Sequence, residues 1–292
     1  MLLPRFEYHQ PASLDEAVEV LGQYAGEAAV LAGGTDLLVN MKHQAMAPSH
    51  LVSLAGVEGL DQASADGGRV TVGPLMSAAV LAQSEFIAAN AGALALGAAV
   101  LGSPQVRTRA TVGGNVCNAR PAADMSVPLL ALGARAVLTG PDGQRQVDLE
   151  EFFVGPGQTV RAPGELLSAL EMDAPAPGTG WGYQKLGLRK ALEISLVNVA
   201  AALSLEDDGK TIKAARVALG AVAPTPILAP GAAEVLVGQA AGGDVFKAAG
   251  QKAAADAKPI DDHRGSAWYR REMVAVLTAR ALNQAWARAQ GQ

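Results

Sequence analysis

Two glycine pairs constrain the backbone of this chain more than any other feature. Gly33-Gly34 interrupts the apolar stretch "VLAGGTDLL", and Gly113-Gly114 interrupts "TVGGNV". Glycine reaches positive φ and lets a backbone approach other groups closely. After a strand, such a pair predicts a sharp turn with uncovered N–H groups, and a helix that follows adds attraction for an anion. The two pairs therefore indicate either a pyrophosphate-binding site or two ordinary turns.

The residues that follow the first pair fit either interpretation. Thr35 offers a hydroxyl that can cap a helix or bind a phosphate oxygen. Asp36 is less favourable, because a carboxylate beside a phosphate is repulsive unless hydrogen-bond donors already occupy it.

The second pair lies among basic and amide side chains. Asn115 supplies a donor and an acceptor, and Asp124 could accept from a ribose hydroxyl or cap the following helix. Three arginines that could offset a diphosphate surround the pair: Arg107, Arg109 and Arg120. The G-x-G-x-x-G and G-x-x-x-x-G-K-[ST] fingerprints are absent, which argues against a Rossmann or P-loop domain.

Composition narrows the classes of protein further. The 292 residues predict two or three domains, and the formal charge of −5 argues against a nucleic-acid-binding surface. A single cysteine, Cys117, excludes an internal disulfide and a cysteine-ligated iron–sulfur cluster built by this chain alone. The four histidines show no metal-ligand spacing, so we predict no metal site. No apolar run has the length of a membrane span and no signal peptide is evident, so we expect a soluble, cytoplasmic protein.

Hydrophobic periodicity predicts an α+β protein. Ser13 and Glu16 form a capping box at the start of the first helix, and "EAAVLAGG" is a short buried strand. "MSAAVLAQSEFIAANAGALALGAAVLG" reads as one long helix. "ARAVLTGPDGQRQV" and "SLVNVAAALSLEDDGKTIKAARVALGAV" are each predicted to form two strands joined by a turn. The chain ends in a helix whose apolar stripe is Met273, Val274, Leu277, Ala281 and Leu282.

Several motifs together resemble a known family. "AGGTDLLVNMK", "RATVGGNVCNARPAADMSVPLLALGA", "YQKLGLRKALEISLVNVAAAL" and "HRGSAWYRREMVAVLTARAL" occur in that order, after the opening "FEYHQPASLDEAVEVL". In this they resemble the flavin-binding medium subunits of molybdenum hydroxylases, of the xanthine dehydrogenase and carbon monoxide dehydrogenase types. The resemblance covers nearly the whole chain.

The resemblance implies a fold and a domain division. It predicts a two-part FAD-binding region of the vanillyl-alcohol-oxidase (PCMH) type over residues 1–176, with subdomains of about 1–54 and 55–176. A smaller α+β domain of the carbon monoxide dehydrogenase flavoprotein type is expected over 177–292. The Pro- and Gly-rich stretch Met172–Tyr183 is the strongest internal boundary in the sequence.

The resemblance also implies a site in which non-covalent FAD lies between the two loops, its pyrophosphate against their amides. The residues that match the first loop are Leu31, Ala32, Gly33, Gly34, Thr35 and Asp36. Those that match the second are Thr111, Gly113, Gly114 and Asn115. Asp124 matches an acidic residue near the adenosine or the loop, and Leu167 and Lys185 match neighbours of the flavin ring. From the residues alone, Leu167 is a strand core residue in either interpretation, and Lys185 is equally well explained as a solvated charge.

The function implied is electron transfer within a heteromeric oxidoreductase. An iron–sulfur subunit would deliver electrons to FAD, which would pass them to NAD or another acceptor, and a large subunit would carry the molybdenum cofactor. No catalytic acid or base is expected in this chain. Two alternatives stay open: a stand-alone flavoprotein reductase or oxidase of the same fold, and a flavin-free scaffold subunit.

Overall fold

The computed structural model describes residues 2–291, which form helices and strands in a mixed order. The helices are α1 (Leu14–Gln23), α2 (Leu37–Lys42), α3 (Ala78–Gln83), α4 (Glu85–Asn90), α5 (Gly92–Val100), α6 (Pro104–Arg107), α7 (Val112–Cys117), α8 (Ser126–Ala131), α9 (Leu149–Phe152), α10 (Pro230–Leu236), α11 (Gly243–Asp256) and α12 (Ala267–Ala289). The strands are β1 (Glu7–His9), β2 (Ala28–Leu31), β3 (His50–Ser53), β4 (Ala63–Asp66), β5 (Arg69–Val72), β6 (Arg135–Gly140), β7 (Gly143–Asp148), β8 (Phe153–Gly155), β9 (Gln158–Thr159), β10 (Leu166–Asp173), β11 (Thr179–Leu186), β12 (Val197–Leu205), β13 (Ile212–Gly220) and β14 (Ile227–Leu228). This mixture confirms the α+β prediction.

The first layer is a small parallel sheet of order β1-β3-β2. Helix α1 buries Ala17, Val18 and Leu21 in a core that it shares with β3. At its N-terminus, Ser13 Oγ accepts from the Glu16 N–H at 3.2 Å, as the sequence predicts. The Glu16 carboxylate accepts from the N–H of Ala12 at 2.7 Å, one residue earlier than a standard capping box requires.

The second sheet is antiparallel, with order β4-β5-β10-β6-β7, and packs against the helices that lie between β5 and β6 in the chain. The single long helix predicted for Met76–Gly102 is wrong, because α3, α4 and α5 replace it. Ser84 ends α3 and caps α4, accepting from the Ile87 N–H at 3.2 Å, and Ala91 leaves helical geometry with φ −148°. A hydroxyl that satisfies the amides of a helix end competes with helix continuation.

The third sheet is antiparallel, with order β11-β12-β13-β14, and is covered by α10, α11 and α12. The predicted hairpin is present as β12 and β13. The stripe predicted for α12 faces this core, with four members buried and Met273 partly buried.

Consecutive strands β10 and β11 belong to different sheets, so the chain passes from the second sheet to the third between Asp173 and Thr179. The division at 176/177 stays a prediction. Within residues 2–291, no helix combines the length and apolar character needed to cross a membrane.

Candidate functional site

A cavity of about 1580 Å³ is lined by segments from several parts of the chain. Its walls come from the first glycine loop, from helix α7 and the segment after it, and from the start of β10. Two segments of the third layer, residues 188–195 and 258–264, also contribute to its lining. Pockets for drug-sized ligands occupy about 300–1,000 Å³, so this cavity has room for a ligand of dinucleotide size.

The first glycine loop offers the cavity a row of uncommitted hydrogen-bond donors. Within residues 2–291, the backbone N–H groups of Gly33, Gly34, Thr35 and Asp36 donate to no acceptor. All four residues line the cavity. Successive N–H groups without internal partners are the arrangement that binds phosphate oxygens.

The two glycines of this loop are required for different reasons. Gly34 has φ +75°, a conformation that other L-residues rarely adopt. Gly33 lies against the segment before α7, and a Cβ there would be 1.8 Å from the carbonyl oxygen of Arg109. Gly33 therefore permits the backbone contact that brings the two glycine segments together.

Asp36 has a partner that the sequence analysis missed. Its Oδ1 accepts from Asn118 Nδ2 at 2.8 Å, across 82 residues of chain. Its Oδ2 is 3.5 Å from the hydroxyl of Thr35, and neither residue makes a side-chain cap for α2. This carboxylate, which would be unfavourable beside a phosphate without a donor, is occupied by Asn118 and joins the first glycine loop to the end of α7.

The second glycine pair does not form a turn after a strand. Gly113 and Gly114 lie inside α7, whose N-cap Thr111 accepts from the Gly114 N–H at 3.1 Å. The Gly113 N–H donates to Pro74 O and that of Asn115 to Thr111 O. These amides are therefore already satisfied, and the expectation that both loops present free amides is wrong for the second loop.

The second segment still contributes to the cavity wall. Thr111, Gly113, Gly114 and Asn115 all line it. The Oδ1 of Asn115 accepts from the Met125 N–H at 3.1 Å, which orients its amide nitrogen as a donor.

Asp124 is a buried hydrogen-bond acceptor at the cavity wall rather than a helix cap. It accepts from Tyr183 at 2.8 Å, from Ser195 at 3.0 Å and from Lys185 Nζ at 2.6 Å. Burial raises the pKa of its carboxyl, while Lys185 and the hydroxyl donors oppose that rise. Burial, with the nearby charge of Asp124, also raises the pKa of Tyr183 well above its usual range.

The residues expected near the flavin ring have different surroundings. Leu167 is buried in β10 and lines the cavity. Lys185 is not a solvated charge: its side chain is 11% exposed and forms an ion pair with Asp124. Neither Lys185 nor Leu31 is among the lining residues.

The positive charge at the cavity differs from the predicted arginine cluster. Arg120 lines the cavity, but Arg107 donates to Leu101 O at 2.9 Å and Arg109 is not at the wall. Arg161, which the sequence analysis missed, lines the cavity and donates to Glu165 O at 2.9 Å. Burial raises the pKa of the Cys117 thiol, which also lines the cavity, so it is protonated at neutral pH.

Sequence comparison identifies this architecture. Residues 4–174 match the family described as the FAD binding domain in molybdopterin dehydrogenase. The chain belongs to the FAD-binding medium subunits of the molybdenum hydroxylase family. Residues 182–285 match the C-terminal domain of carbon monoxide dehydrogenase flavoproteins.

Individual relatives agree over their full length. The carbon monoxide dehydrogenase medium chain of Hydrogenophaga pseudoflava is 36% identical over 288 residues, covering 99% of each chain. The structure of reconstituted CO dehydrogenase from Oligotropha carboxidovorans matches with a TM-score of 0.94 and 35% identity, covering 99% of this chain and 100% of that one. The structure of quinoline 2-oxidoreductase from Pseudomonas putida 86 matches with a TM-score of 0.91 and 31% identity, covering 100% of this chain and 99% of that one.

The residues at the cavity fit FAD, the cofactor of this family's domain. The four uncommitted N–H groups suit a pyrophosphate, and the volume of the cavity leaves room for a dinucleotide.

Proposed function

We infer that this medium subunit carries electrons from an iron–sulfur subunit to NAD or another acceptor. The single observation that supports this is the first glycine loop, with four unpaired N–H groups at the wall of a dinucleotide-sized cavity. FAD supplies the ability to exchange electrons one or two at a time. The iron–sulfur clusters would belong to a partner subunit, because one cysteine cannot ligate a cluster, and the molybdenum cofactor would belong to another.

The residues of this chain would bind and orient the cofactor. The amides of Gly33 to Asp36 would hold the pyrophosphate, and Asp36 would fix that loop through Asn118. Leu167 would provide an apolar contact for the ring. Arg120 and Arg161, which also line the cavity, would offset the phosphate charge.

Asp124 and Lys185 would act as one neutral unit. Their contact at 2.6 Å is buried, so the ammonium is already compensated before any ligand binds. We therefore propose that Lys185 positions Asp124 and the adjoining wall rather than supplying a free positive charge to the flavin ring. The protonated Cys117 thiol would serve as a small wall residue.

Reoxidation of a reduced complex tests the direction of electron flow. The co-purified complex is reduced with dithionite, freed of excess reductant and mixed with NAD or with a quinone analogue. The control is the same complex from which FAD has been removed. We expect cluster reoxidation by one of these acceptors only when FAD is bound; equal rates without FAD would contradict the proposal.

The same preparation separates the alternatives. A stand-alone reductase or oxidase would turn over as an isolated chain, without partner subunits. A flavin-free scaffold would leave the purified complex without FAD, and its reoxidation rates would not change on addition of FAD. The residues of this chain do not determine the substrate of the complex, since relatives named for carbon monoxide and for quinoline share its fold.

A further inference from the structure

Three potential metal ligands meet on the first sheet, outside the cavity. The ring nitrogen Nε2 of His9 lies 3.0 Å from Nδ1 of His50, and the Glu7 carboxylate lies 3.5 Å from the same His50 nitrogen. All three ligand atoms fall within 4.8 Å of one another. Neither the flavin site nor the Asp124 cluster uses these side chains.

The strand register explains why spacing in the sequence did not reveal this cluster. Glu7 and His9 are two residues apart on edge strand β1, so both side chains point to one face. Strand β3 pairs with β1 in parallel, with Glu7 opposite His50. A ligand 41 residues away in the chain therefore joins the other two.

The distances suit a small divalent cation. Zinc bonds to histidine nitrogen at about 2.0–2.1 Å, so two nitrogens of a tetrahedral site are about 3.3 Å apart. Here the nitrogens are 3.0 Å apart and the oxygen–nitrogen separation is 3.5 Å. Small side-chain movements of a few tenths of an ångström would bring all three atoms to bonding distance.

The surroundings hold one ligand and leave the site open on the other side. The Tyr24 ring stacks on His50, with centroids 3.7 Å apart and planes at 15°, which fixes the orientation of this imidazole. The His50 side chain is 12% exposed, whereas that of Glu7 is 72% exposed. Two imidazoles and one carboxylate, with a fourth position open to water, form a ligand set that zinc uses in proteins.

We propose that Glu7, His9 and His50 bind a divalent transition-metal ion, and that zinc is the ion bound in the cell. The bound ion would tie edge strand β1 to β3. Since these imidazole and carboxylate ligands also accept other first-row metals, copper(II) should bind more tightly than zinc in vitro, and cobalt(II) less tightly.

Isothermal titration of the FAD-loaded, untagged chain with zinc chloride tests the site. FAD loading keeps the ion out of the cavity. We expect one zinc ion per chain, and X-ray absorption at the zinc edge should show two imidazole ligands. Loss of even an outer-shell partner typically costs 10–100-fold in metal affinity, so His9→Gln and Glu7→Gln should each weaken binding by more than about tenfold.

The matched control is His43→Gln, which removes an exposed histidine outside the cluster. Its affinity should equal that of the wild type. Glu7→Gln changes an exposed side chain, so its effect cannot be attributed to unfolding. Zinc binding that is absent in the wild type, or unchanged in both cluster variants, would overturn the proposal.

Discussion

Gly33 is the residue at which the two glycine segments touch. Its backbone lies so close to Arg109 that any side chain would meet the Arg109 carbonyl oxygen. Gly34, next to it, is needed for its positive φ. Adjacent glycines in one motif therefore satisfy separate physical requirements, of which only Gly34 matches the turn geometry expected from the sequence.

Gly33→Ala should separate these segments. Overpacking at a fixed contact costs about 1–3 kcal/mol, so we expect a loss of that size in the free energy of unfolding, together with weaker FAD binding. Urea denaturation and flavin titration would measure both. Gly243→Ala is the control, because a Cβ there meets nothing within 4 Å; equal behaviour of the two variants would contradict this role of Gly33.

The Asp36–Asn118 hydrogen bond should couple the two segments energetically. Asp36→Ala and Asn118→Ala should each weaken FAD binding by about 1 kcal/mol, roughly fivefold in Kd. The double variant should be no worse than the weaker-binding single variant, since both remove the same bond. Flavin titration of the four proteins measures this cycle.

Asp36→Asn is a matched control for the charge. It keeps an acceptor oxygen for Asn118 and removes the negative charge beside the bound pyrophosphate. We expect binding at least as tight as in the wild type. Strictly additive alanine effects, or a large loss in Asp36→Asn, would rule out the hydrogen bond as the important interaction.

At the scale of elements, helix α12 is joined to the segment before it by a buried cation. Arg270 is 3% exposed and donates to Leu196 O at 3.0 Å and Ala221 O at 2.8 Å. It also pairs with Asp262 at 2.7 Å. Desolvation acts to raise the pKa of Asp262, but the Arg264 N–H and the Arg270 guanidinium prevail and lower this pKa to about 2.

Asp262→Asn should destabilise the fold by roughly 2 kcal/mol at neutral pH, because Arg270 loses its anionic partner. The native pKa lies below the usual 3.8, so ionised Asp262 stabilises the protein above pH 3.8 and this contribution is lost as the pH falls through about 2. The difference in free energy of unfolding between wild type and Asp262→Asn should be constant above about pH 5. This difference should become smaller below pH 3.8, as measured by urea denaturation.

Asp66→Asn is the control variant for the pH dependence of Asp262→Asn. Asp66 is exposed on β4, and within residues 2–291 its carboxylate makes no hydrogen bond or ion pair. Its replacement should change stability by less than about 0.5 kcal/mol. A gap for Asp262→Asn that does not narrow in acid would contradict the low pKa.

Local patterns predicted most of the elements. The turns at Pro141-Asp142-Gly143 and Asp207-Asp208-Gly209 lie between strands, as their residues indicate. The failures arose where a single polar side chain decides the outcome. Ser84 divides a helix-compatible run, and Thr111 caps a helix that contains the second glycine pair.

The candidate site is harder to predict from the sequence than the elements are, because its hydrogen bonds join residues that are distant in the chain. Asp36 meets Asn118, and Asp124 meets Lys185 across 61 residues. Periodicity and turn chemistry describe neighbours along the chain, so they cannot identify such pairs. The family resemblance named Asp124 and Lys185 but did not indicate that they compensate each other.

For the whole molecule, the main consequence is that segments distant in the chain line one cavity. The loop after β2 supplies the free amides, β10 supplies Leu167, and two loops of the C-terminal part supply Ser195 and Asp262. Asp124 connects the segment after α7 to β11 and to the loop before β12, through Tyr183 and Ser195. Flavin binding should therefore stabilise the assembled chain as a unit, since a ligand that binds only the native state adds to its stability.

Flavin binding by the cavity is tested by the visible absorption spectrum of the purified chain, with mass identification of the cofactor released on denaturation. We predict one FAD per chain, released intact because no covalent bond holds it. The spectrum is then repeated after incubation with FAD and on the co-purified complex. A chain that stays colourless in all three preparations would contradict the account of the cavity as a flavin site.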